Sequence, residues 1–463
     1  MSRLVVVSNR VPLPSERGPR AGGLAVALAD ALTQGSLWFG WSGRRSAAPG
    51  PAQFQQADGI SYATIDLTEA EYRAFYVNFA NGALWPLLHF RLGLLNFRRE
   101  HYEGYWAVNQ RFADALAPLL RPDDLVWVHD YHLIPLAAAL RRLGVRNRLG
   151  FFLHTPFVPP ALFQALPRAD DLLAAMCSYD VVGFHTRTHR QGFIDCVREM
   201  LGPRPDSEGR FIYRGSVVRA IVDPIGIDPD SFAACAEQAA NSTDGRKLRE
   251  SLPQGRTLAI GVDRLDYSKG LVNRFEAFAD LLARYPEHRR QVSLLQVAAR
   301  SREELGDYQR LRRELDRIVG DINGQFSEFD WVPLRYMTRA VRRTTLAGFF
   351  RIAHLGVVTP LRDGMNLVAK EYVAAQNPND PGVLILSRFA GAADELTDAL
   401  IVNPFDEDAI ADAMHIGLTM GVEERRERWR SLRQRVWKNT ASHYCSVFLH
   451  HLAEPRARLR AAS

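Results

Sequence analysis

The sequence is short of cysteine, and the four cysteines that it has lie far apart. Cys177, Cys196, Cys235 and Cys445 form no CxxC pair. Disulfide scaffolds and cysteine-based zinc sites need regularly spaced cysteines, so this spacing argues against both. It is typical of a chain that works in a reducing compartment, and we expect a cytoplasmic location.

The chain also lacks long apolar runs. No stretch approaches the roughly 18 to 20 apolar residues that cross a bilayer, and the run Leu4–Val7 is too short for a secretory signal. We therefore expect no membrane partner. Apolar residues make up 47% and charged residues 24% of 463 residues, which is typical of a globular chain of two or three domains.

Two nucleotide-binding fingerprints are absent. The chain has neither GxGxxG nor GxxxxGK[ST], so the oxidoreductase and P-loop interpretations lose their main support. The formal net charge of +6 raises the question of an anionic partner. The most basic run, 423–435, interleaves Glu with Arg as a self-paired helix face does. We expect no nucleic-acid partner and attribute the basic excess to phosphorylated small molecules.

Short apolar runs alternate with helical patterns along most of the chain, which predicts parallel sheets covered by helices. The segment Pro224–Asp228 interrupts this alternation. We therefore predict an α/β fold of two Rossmann-like, doubly wound domains that face each other across a cleft. The predicted domains are 1–225, 226–440 and a C-terminal helix in 441–463 that packs back on the first domain.

The predicted strands are Leu4–Ser8, Leu125–His129, Leu149–His154, Val181–Phe184, Val217–Val222, Thr257–Val262, Val292–Val297, Leu355–Thr359, Gly382–Leu386 and Ala399–Val402. The predicted helices are Gly23–Leu32, Ala107–Leu120, Arg187–Leu201, Leu271–Leu282, Ala340–Ile352 and Asn366–Ala375. Ligands of such folds bind where strands end and helices begin, so the informative residues should follow the strands.

In the first half, two groups of residues stand at such positions. Gly22 and Gly23 precede a predicted helix, where the backbone can approach a phosphate, although an ordinary turn remains an alternative. The other group, His129, Asp130, His132 and His154, follows two strands, where titratable side chains suit a cleft better than a core. A metal site and a structural histidine at 129 remain alternatives, although HExxH is absent.

In the second half, Arg264 and Lys269 flank a turn after the strand Thr257–Val262. Two cations there can hold a diphosphate and neutralise the charge that builds on it as it leaves. A surface pair bridging to Asp263 or Asp266 is the alternative.

Asp363 follows the strand Leu355–Thr359, where it suits either a ligand or an ordinary N-cap. The amides of Gly364–Leu367 can bind hydroxyls or phosphate, and Glu371 can reach a ribose diol.

Aromatic residues cluster early in the chain. Tryptophan faces stack on sugar rings, but most such residues belong to the core. The cluster comprises Trp38, Trp41, Tyr76, Trp85, Tyr102 and Trp106.

Together, these segments resemble the trehalose-6-phosphate synthase family of retaining glycosyltransferases. The resemblance follows the family order and covers nearly the whole chain, and RLDYSKG and LRDGMNLVAKE are its most specific parts. The matching segments are VVVSNR, AGGLAVAL, LWFGWSG, ALWPLLHF, VWVHDYHL, GFFLHTPF, PIGID, RLDYSKG, VTPLRDGMNLVAKEYVAAQ and ELTDALIVNPFD.

The resemblance implies a GT-B-type enzyme that moves glucose from UDP-glucose to glucose 6-phosphate, without a metal or other cofactor. Domain 1–225 would be the acceptor side and domain 226–440 the nucleotide-sugar side. The acceptor would be held by Arg10, Trp41, Tyr76, Trp85, Asp130 and Arg302. The donor would be held by Gly22, Gly23, Arg264, Lys269, Gly364, Met365, Asn366, Leu367, Val368 and Glu371. The reacting centre would comprise His154, Asp363, Arg264, Lys269 and Asp130. We also expect a homo-oligomer, a dimer or a tetramer.

The family is thought to react from the front face, with the leaving phosphate taking the acceptor's proton. No carboxylate pair at glycosidase spacing is apparent in the motifs, which disfavours a covalent glycosyl-enzyme. Retention would come from holding both partners on one face, and closure of the domains would exclude water.

The chain departs from the family pattern at the acceptor end. Val158 and Ala161 replace a proline and an acidic residue, and 298–301 reads AARS where the family has Pro-Thr-Ser before Arg302. Arg300 therefore competes with Arg302 for the acceptor phosphate. The alternatives to the synthase are a transferase with another nucleotide donor or a cyclitol acceptor, and a non-catalytic regulator that binds sugar phosphates. The motifs do not rank UDP-glucose against GDP-glucose or ADP-glucose.

Overall fold

The structure is a computed structural model that describes residues 2–16, 28, 32–252, 255–302 and 304–455. The chain divides into two compact units. Unit 1 comprises Met1–Pro224 and Tyr444–Ser463, and unit 2 comprises Ile225–His443.

Unit 1 contains a nine-stranded sheet in the order β3-β4-β2-β1-β5-β6-β7-β9-β8. The pairs β3–β4 and β8–β9 are antiparallel, and the other neighbours are parallel. The strands are β1 (Leu4–Arg10), β2 (Leu37–Ser46), β3 (Gln53–Ala57), β4 (Ile60–Thr68), β5 (Leu125–His129), β6 (Arg148–Leu153), β7 (Val181–Phe184), β8 (Arg210–Tyr213) and β9 (Ser216–Val222).

The central strands of unit 1 are continuous apolar runs because helices cover both faces of a doubly wound sheet. All residues of β7 are buried, as are the first five of β1. The helices are α1 (Glu69–Glu71), α2 (Trp85–Leu88), α3 (Arg99–Leu116), α4 (Leu136–Arg142), α5 (Pro160–Phe163), α6 (Ala169–Met176) and α7 (Arg187–Cys196). A π-helical segment, Tyr72–Leu84, joins α1 to α2, and a second one, Val197–Leu201, follows α7.

Unit 2 contains a six-stranded, wholly parallel sheet in the order β12-β11-β10-β13-β14-β15. This is the Rossmann strand order, in which the chain reverses direction across the sheet between β10 and β13. The strands are β10 (Thr257–Arg264), β11 (Val292–Ala299), β12 (Leu334–Met337), β13 (Leu355–Val358), β14 (Val383–Ser387) and β15 (Leu400–Val402).

The helices of unit 2 pack on this sheet through apolar faces; in α10, for example, Leu271, Phe275, Phe278 and Leu282 are buried at helical spacing. The helices are α8 (Pro229–Ala240), α9 (Thr243–Glu250), α10 (Leu271–Arg284), α11 (Gly306–Phe326), α12 (Arg343–Ile352), α13 (Leu367–Ala375), α14 (Glu407–Thr419) and α15 (Val422–Lys438).

The last helix, α16 (Ala441–Ala453), contributes its residues from Tyr444 onward to unit 1. The ring of Phe448 stacks on Trp127 of β5 at a centroid distance of 4.6 Å. Glycine makes room for it on two strands, since a Cβ at Gly150 would lie 2.7 Å from the Phe448 ring and one at Gly183 would lie 2.9 Å from it. Arg219 and Glu454 form an ion pair of 2.6 Å at the end of this segment.

Most strand predictions are confirmed. Leu125–His129 and Val181–Phe184 agree to the residue, and the other eight predicted strands agree within two residues at each end. The predicted helix Ala107–Leu120 is shifted, because the observed helix runs from Arg99 to Leu116. The prediction missed β2, β3 and β4, which form one edge of the unit 1 sheet, as well as β8 and β12.

Candidate active site

Arg10 and Asp130 lie at the carboxyl ends of neighbouring strands, at the point where unit 1 reverses its strand order between β1 and β5. Arg10 ends β1, and its guanidinium donates to the Glu16 carboxylate at 3.2 Å. Gly43, at a φ of +84°, leaves space for it, since a Cβ there would lie 2.7 Å from Arg10 Nε. Such a switch point is where an open α/β sheet binds its ligand.

Beside this point, five rings form a continuous series of contacts, called here the aromatic run. Trp41 contacts Tyr76 at 5.9 Å, Tyr76 stacks on His132 at 5.6 Å, His132 contacts Tyr131 at 4.0 Å, and Tyr131 contacts Trp85 at 5.6 Å. The run therefore brings three of the predicted acceptor residues together from β2, the π-helical segment and α2. Apolar ring faces beside polar strand ends suit a sugar ring.

The other early aromatic residues lie elsewhere. Trp38 donates to Ser8 Oγ at 2.9 Å within the sheet. Tyr102 and Trp106 line a separate cavity of about 480 Å³ that also includes Arg142 and Arg168. Three core rings, those of Phe79, Tyr105 and Phe75, separate Tyr102 from His132 of the aromatic run.

Asp130 and His154 meet at the carboxyl ends of β5 and β6. The His154 amide donates to Asp130 Oδ1 at 3.2 Å, and Asp130 adopts a φ of +75°, which is strained for a residue other than glycine. His154 Nε2 lies 3.1 Å from His129 Nδ1. Burial lowers the pKa of His154 to about 3, and burial together with His154 lowers the pKa of His129 well below its usual value. Both imidazoles are therefore neutral at neutral pH and can donate or accept without carrying charge.

In unit 2, the predicted donor residues follow β10 and β13, the two strands at its switch point. The Lys269 ammonium donates to Asp363 Oδ2 at 2.5 Å, and both side chains are more than four-fifths buried. Arg264 lies 3.8 Å from Asp266 and is 44% exposed. The ion pair partners that the sequence left open are therefore Asp363 for Lys269 and Asp266 for Arg264.

The loop after β13 adopts an unusual backbone conformation. Asn366 has a φ of +80° and is the N-cap residue of α13, so the interpretation of Asp363 as an ordinary N-cap is wrong. Asn366 Nδ2 donates to Asp363 Oδ2 at 3.0 Å, and its Oδ1 is buried without a hydrogen-bond partner in the part of the chain that the structure describes. Gly364, Met365 and Asn366 are buried, and Leu367 and Val368 are partly exposed in the first turn of α13. A first turn has backbone amides without intrahelical partners.

Glu371, on α13, is held by Arg343, whose Nε donates to Glu371 Oε1 at 2.9 Å. Burial raises the pKa of Glu371, and Arg343 opposes that rise. An acceptor group in this position can take a hydrogen bond from a ligand hydroxyl.

Arg302 is oriented by neighbours of its own unit. Its Nη1 donates to Asp266 at 2.9 Å and to the Tyr308 hydroxyl at 2.7 Å, and its side chain is 7% exposed. Arg300 instead lines a cavity of about 360 Å³ with Arg312 and Arg313. The two competing arginines therefore lie in different surroundings. The remaining predicted residues, Gly22 and Gly23, lie outside the described part of the chain.

The model of the glycosyltransferase family 20 matches residues 2–454. The chain belongs to glycosyltransferase family 20. A trehalose-6-phosphate synthase of Sinorhizobium fredii is 48% identical over 459 residues, covering 98% of this chain and 98% of that protein. The fold is thus the α/β, GT-B type with two Rossmann-like units.

Two solved structures that are similar to this family 20 chain contain ligands. An α,α-trehalose-phosphate synthase (UDP-forming) from Burkholderia xenovorans, in complex with glucose-6-phosphate, has a TM-score of 0.95 and is 46% identical, with 98% of this chain and 100% of that chain covered. A structure from E. coli bound with UDP-2-fluoro glucose has a TM-score of 0.93 and is 44% identical, with 97% and 99% covered.

Sequence reasoning missed Arg274, which organises the site of this family 20 chain. Arg274 is fully buried on α10 and donates to Asp263 at 2.5 Å, to Gln296 at 2.8 Å and to Thr359 at 3.0 Å. It thereby joins the carboxyl end of β10, the middle of β11 and the residue that follows β13. Gly261 gives it room, since a Cβ there would lie 2.7 Å from Arg274 Nη1.

His185 and Arg343 were also missed. His185 follows β7, and its ring lies 5.2 Å from that of His154. A polar residue directly after a buried strand was the available signal, as it was for His154. Arg343 had no such signal, because an arginine at the start of a helix is usually exposed.

Proposed function

We propose that this family 20 chain transfers glucose from UDP-glucose to glucose 6-phosphate, giving α,α-trehalose 6-phosphate and UDP with retention at the donor carbon. The observation that carries the proposal is the placement of polar and charged groups at the switch point of each Rossmann unit. Trehalose-6-phosphate synthases of similar sequence, and solved relatives bound to glucose-6-phosphate and to a UDP-glucose analogue, support the substrate assignment.

We assign the donor to unit 2. Arg264 and Lys269 bind the diphosphate and stabilise the negative charge that it gains as it leaves, because a preorganised cation lowers the energy of developing charge. The amides from Gly364 to Val368 and the Asn366 side chain face the glucose hydroxyls, and Glu371 accepts from the ribose. Before donor binds, Asp363 holds the Lys269 ammonium in place. Gly22 and Gly23 contribute backbone to the donor phosphates.

We assign the acceptor to unit 1. Arg10 binds the acceptor phosphate, and the aromatic run supplies Trp41, Tyr76 and Trp85 to the sugar ring. Asp130 orients the acceptor hydroxyls. Arg302 of unit 2 is a second phosphate ligand, because Asp266 and Tyr308 hold its guanidinium ready and so reduce the entropy lost on binding.

The reaction proceeds on one face of the donor sugar. As the bond to the diphosphate stretches, the acceptor hydroxyl attacks from the same side, and its proton passes to a departing phosphate oxygen. Neutral His154 donates a hydrogen bond to the donor glucose without competing for that proton. Holding both substrates in the correct orientation accounts for much of the rate enhancement, as in other reactions between two bound partners.

We further propose cytoplasmic location, a homo-oligomer, no nucleic-acid partner and the domain limits 1–225, 226–440 and 441–463. All four cysteines are unpaired, which suits a reducing compartment. Among the described residues, no helix is both long and apolar enough to span a membrane.

A panel of donors and acceptors tests the function. Purified chain is incubated with glucose 6-phosphate and UDP-, GDP- or ADP-glucose, and nucleotide release is followed with and without acceptor. We expect UDP release that depends on glucose 6-phosphate. Release with a cyclitol acceptor alone, or tight binding of both substrates without release, would replace the proposal with one of its alternatives.

A further inference from the structure

Outside the candidate active site, three potential metal ligands converge on one point of unit 2. They are Glu287, His288 and His415, and their ligand atoms all lie within 4.8 Å of one another. Within the described ranges, this is the only such group of three or more His, Cys, Asp or Glu residues. We call it the His-Glu cluster.

The two imidazoles of the cluster face each other through nitrogen atoms. His288 Nε2 lies 2.9 Å from His415 Nδ1, and Glu287 Oε1 lies 3.8 Å from the same His415 nitrogen. In a tetrahedral zinc site with Zn–N bonds of about 2.0–2.1 Å, two ligand atoms lie about 3.4 Å apart. The two observed separations lie on either side of that value, so small side-chain rotations suffice to admit an ion.

The surroundings hold the rings in this orientation. The ring of Tyr285 stacks on His415 at 4.0 Å and an interplanar angle of 11°, and its hydroxyl donates to Asp412 at 2.8 Å. His288 is 7% exposed and ends a short 3-10 helix between α10 and β11.

We propose that Glu287, His288 and His415 bind one Zn²⁺ ion per chain, with water completing the coordination. Two imidazole nitrogens and one carboxylate oxygen suit zinc better than magnesium or calcium, which prefer all-oxygen sites. Coordination uses a lone pair on each facing nitrogen, so the proton between the rings moves to the outer nitrogen of one of them. Arg284, whose guanidinium lies 5.4 Å from the centre of the Tyr285 ring, is neutralised by Asp408 and Asp412 at 3.0 and 2.7 Å.

The ion is structural, because the cluster lies near the amino ends of the strands, whereas the donor residues lie at the carboxyl ends. His288 comes just before β11 begins, whereas Arg264 is the last residue of β10 and Asp363 follows the end of β13. His415 lies in the second half of α14, which begins after the end of β15 and returns toward the strand starts, as helices of this fold do. Zinc would therefore join α14 to the segment after α10. The proposal is independent of the proposed transferase activity.

Zinc binding to the full chain, after treatment with a chelator and its removal, tests the proposal. Zn²⁺ is titrated in competition with a chromophoric chelator, and the thermal midpoint is measured in parallel. We expect one ion per chain and, at a free Zn²⁺ concentration of about 100 times Kd, a midpoint rise of about 5 °C. We expect His415→Ala to weaken binding at least 100-fold and Glu287→Gln about tenfold, since ligand and near-ligand losses have effects of that order.

A matched control separates this site from adventitious binding. His450, an exposed histidine of unit 1 that contacts Glu454, is replaced in His450→Ala, and that variant should bind zinc as the native chain does. The Glu287 side chain is 57% exposed, so Glu287→Gln should fold normally and its weaker zinc binding should report the loss of a ligand. No binding by the native chain, or equal binding by native chain and His415→Ala, would overturn the proposal in favour of an ordinary hydrogen bond between two neutral imidazoles.

Discussion

Asp363 holds the Lys269 ammonium at the switch point of unit 2, where it can stabilise the charge on a departing diphosphate. We expect Lys269→Ala and Arg264→Ala each to lower kcat about 100-fold or more, as losing one donor to developing charge does. Turnover with UDP-glucose and glucose 6-phosphate measures this. Lys247→Ala, which removes an exposed lysine of α9, is the control and should keep the native rate. Native turnover in both active-site variants would show that the leaving-group assignment is incorrect.

Arg300 and Arg302 differ in how firmly the fold holds them. Arg302 is fixed by Asp266 and Tyr308, whereas Arg300 lines a cavity with two other arginines. We expect Arg302→Ala to raise KM for glucose 6-phosphate at least tenfold, since a bond to a charged group is worth about 1.5–3 kcal/mol, and Arg300→Ala to change it less than threefold. Initial rates at varied acceptor concentration measure both. The opposite ranking would assign the phosphate to Arg300.

Because His154 is neutral in the folded chain, the stability of the chain should depend on pH. Its folded pKa is about 3, below the ordinary value near 6.5, so the unfolded chain takes up a proton that the folded chain does not. Stability therefore falls as pH decreases from 6.5 toward 3, by about 2 kcal/mol at pH 5.

We expect His154→Gln to lose less stability than the native chain between pH 7 and pH 5, measured by denaturant unfolding at each pH. His450→Gln, at an exposed position, should show the native difference. An unchanged difference in His154→Gln would mean that the imidazole is protonated in the folded state.

At the scale of elements, the centre of each sheet was predictable and its edges were not. Strands such as Val181–Phe184 are buried on both faces and read as plain apolar runs. β2 contains two glycines and two arginines, and β3 is almost wholly exposed, so neither has the periodicity that predicts a strand. The candidate site was predictable where a side chain follows a strand. Arg274 was not, because its burial depends on Asp263, Gln296 and Thr359, which are distant in sequence.

The contact between β10 and α10 yields a prediction of its own. A Cβ at Gly261 would lie 2.3 Å from Gln296 Oε1 and 2.7 Å from Arg274 Nη1, so Gly261→Ala displaces two polar groups that the site needs. We expect a loss of about 1–3 kcal/mol, as for other overpacked positions, and a fall in turnover. Thermal unfolding and the transferase assay measure these. Gly306→Ala, where a Cβ would meet nothing within 4 Å, should change neither. If both alanine variants behave alike, the network around Arg274 does not depend on that close approach.

At the scale of the whole molecule, each Rossmann unit presents charged or polar groups at its switch point, and we propose that unit 2 supplies most of the donor contacts and unit 1 most of the acceptor contacts. The substrates are inferred from motifs that are spread over nearly the entire chain. No single site would have been specific enough to identify them. Domain limits and substrate contacts could not be read from the sequence alone, because they depend on groups that meet only after folding.

The stereochemistry of the product tests the account most directly. The purified chain is incubated with UDP-glucose and glucose 6-phosphate until UDP release stops, and the disaccharide phosphate is examined by proton NMR. We predict one α,α-linked product, in which the donor carbon keeps its α configuration because the acceptor hydroxyl attacks the face from which the diphosphate departs. A β linkage at the donor carbon, or free glucose as the main product, would contradict the account.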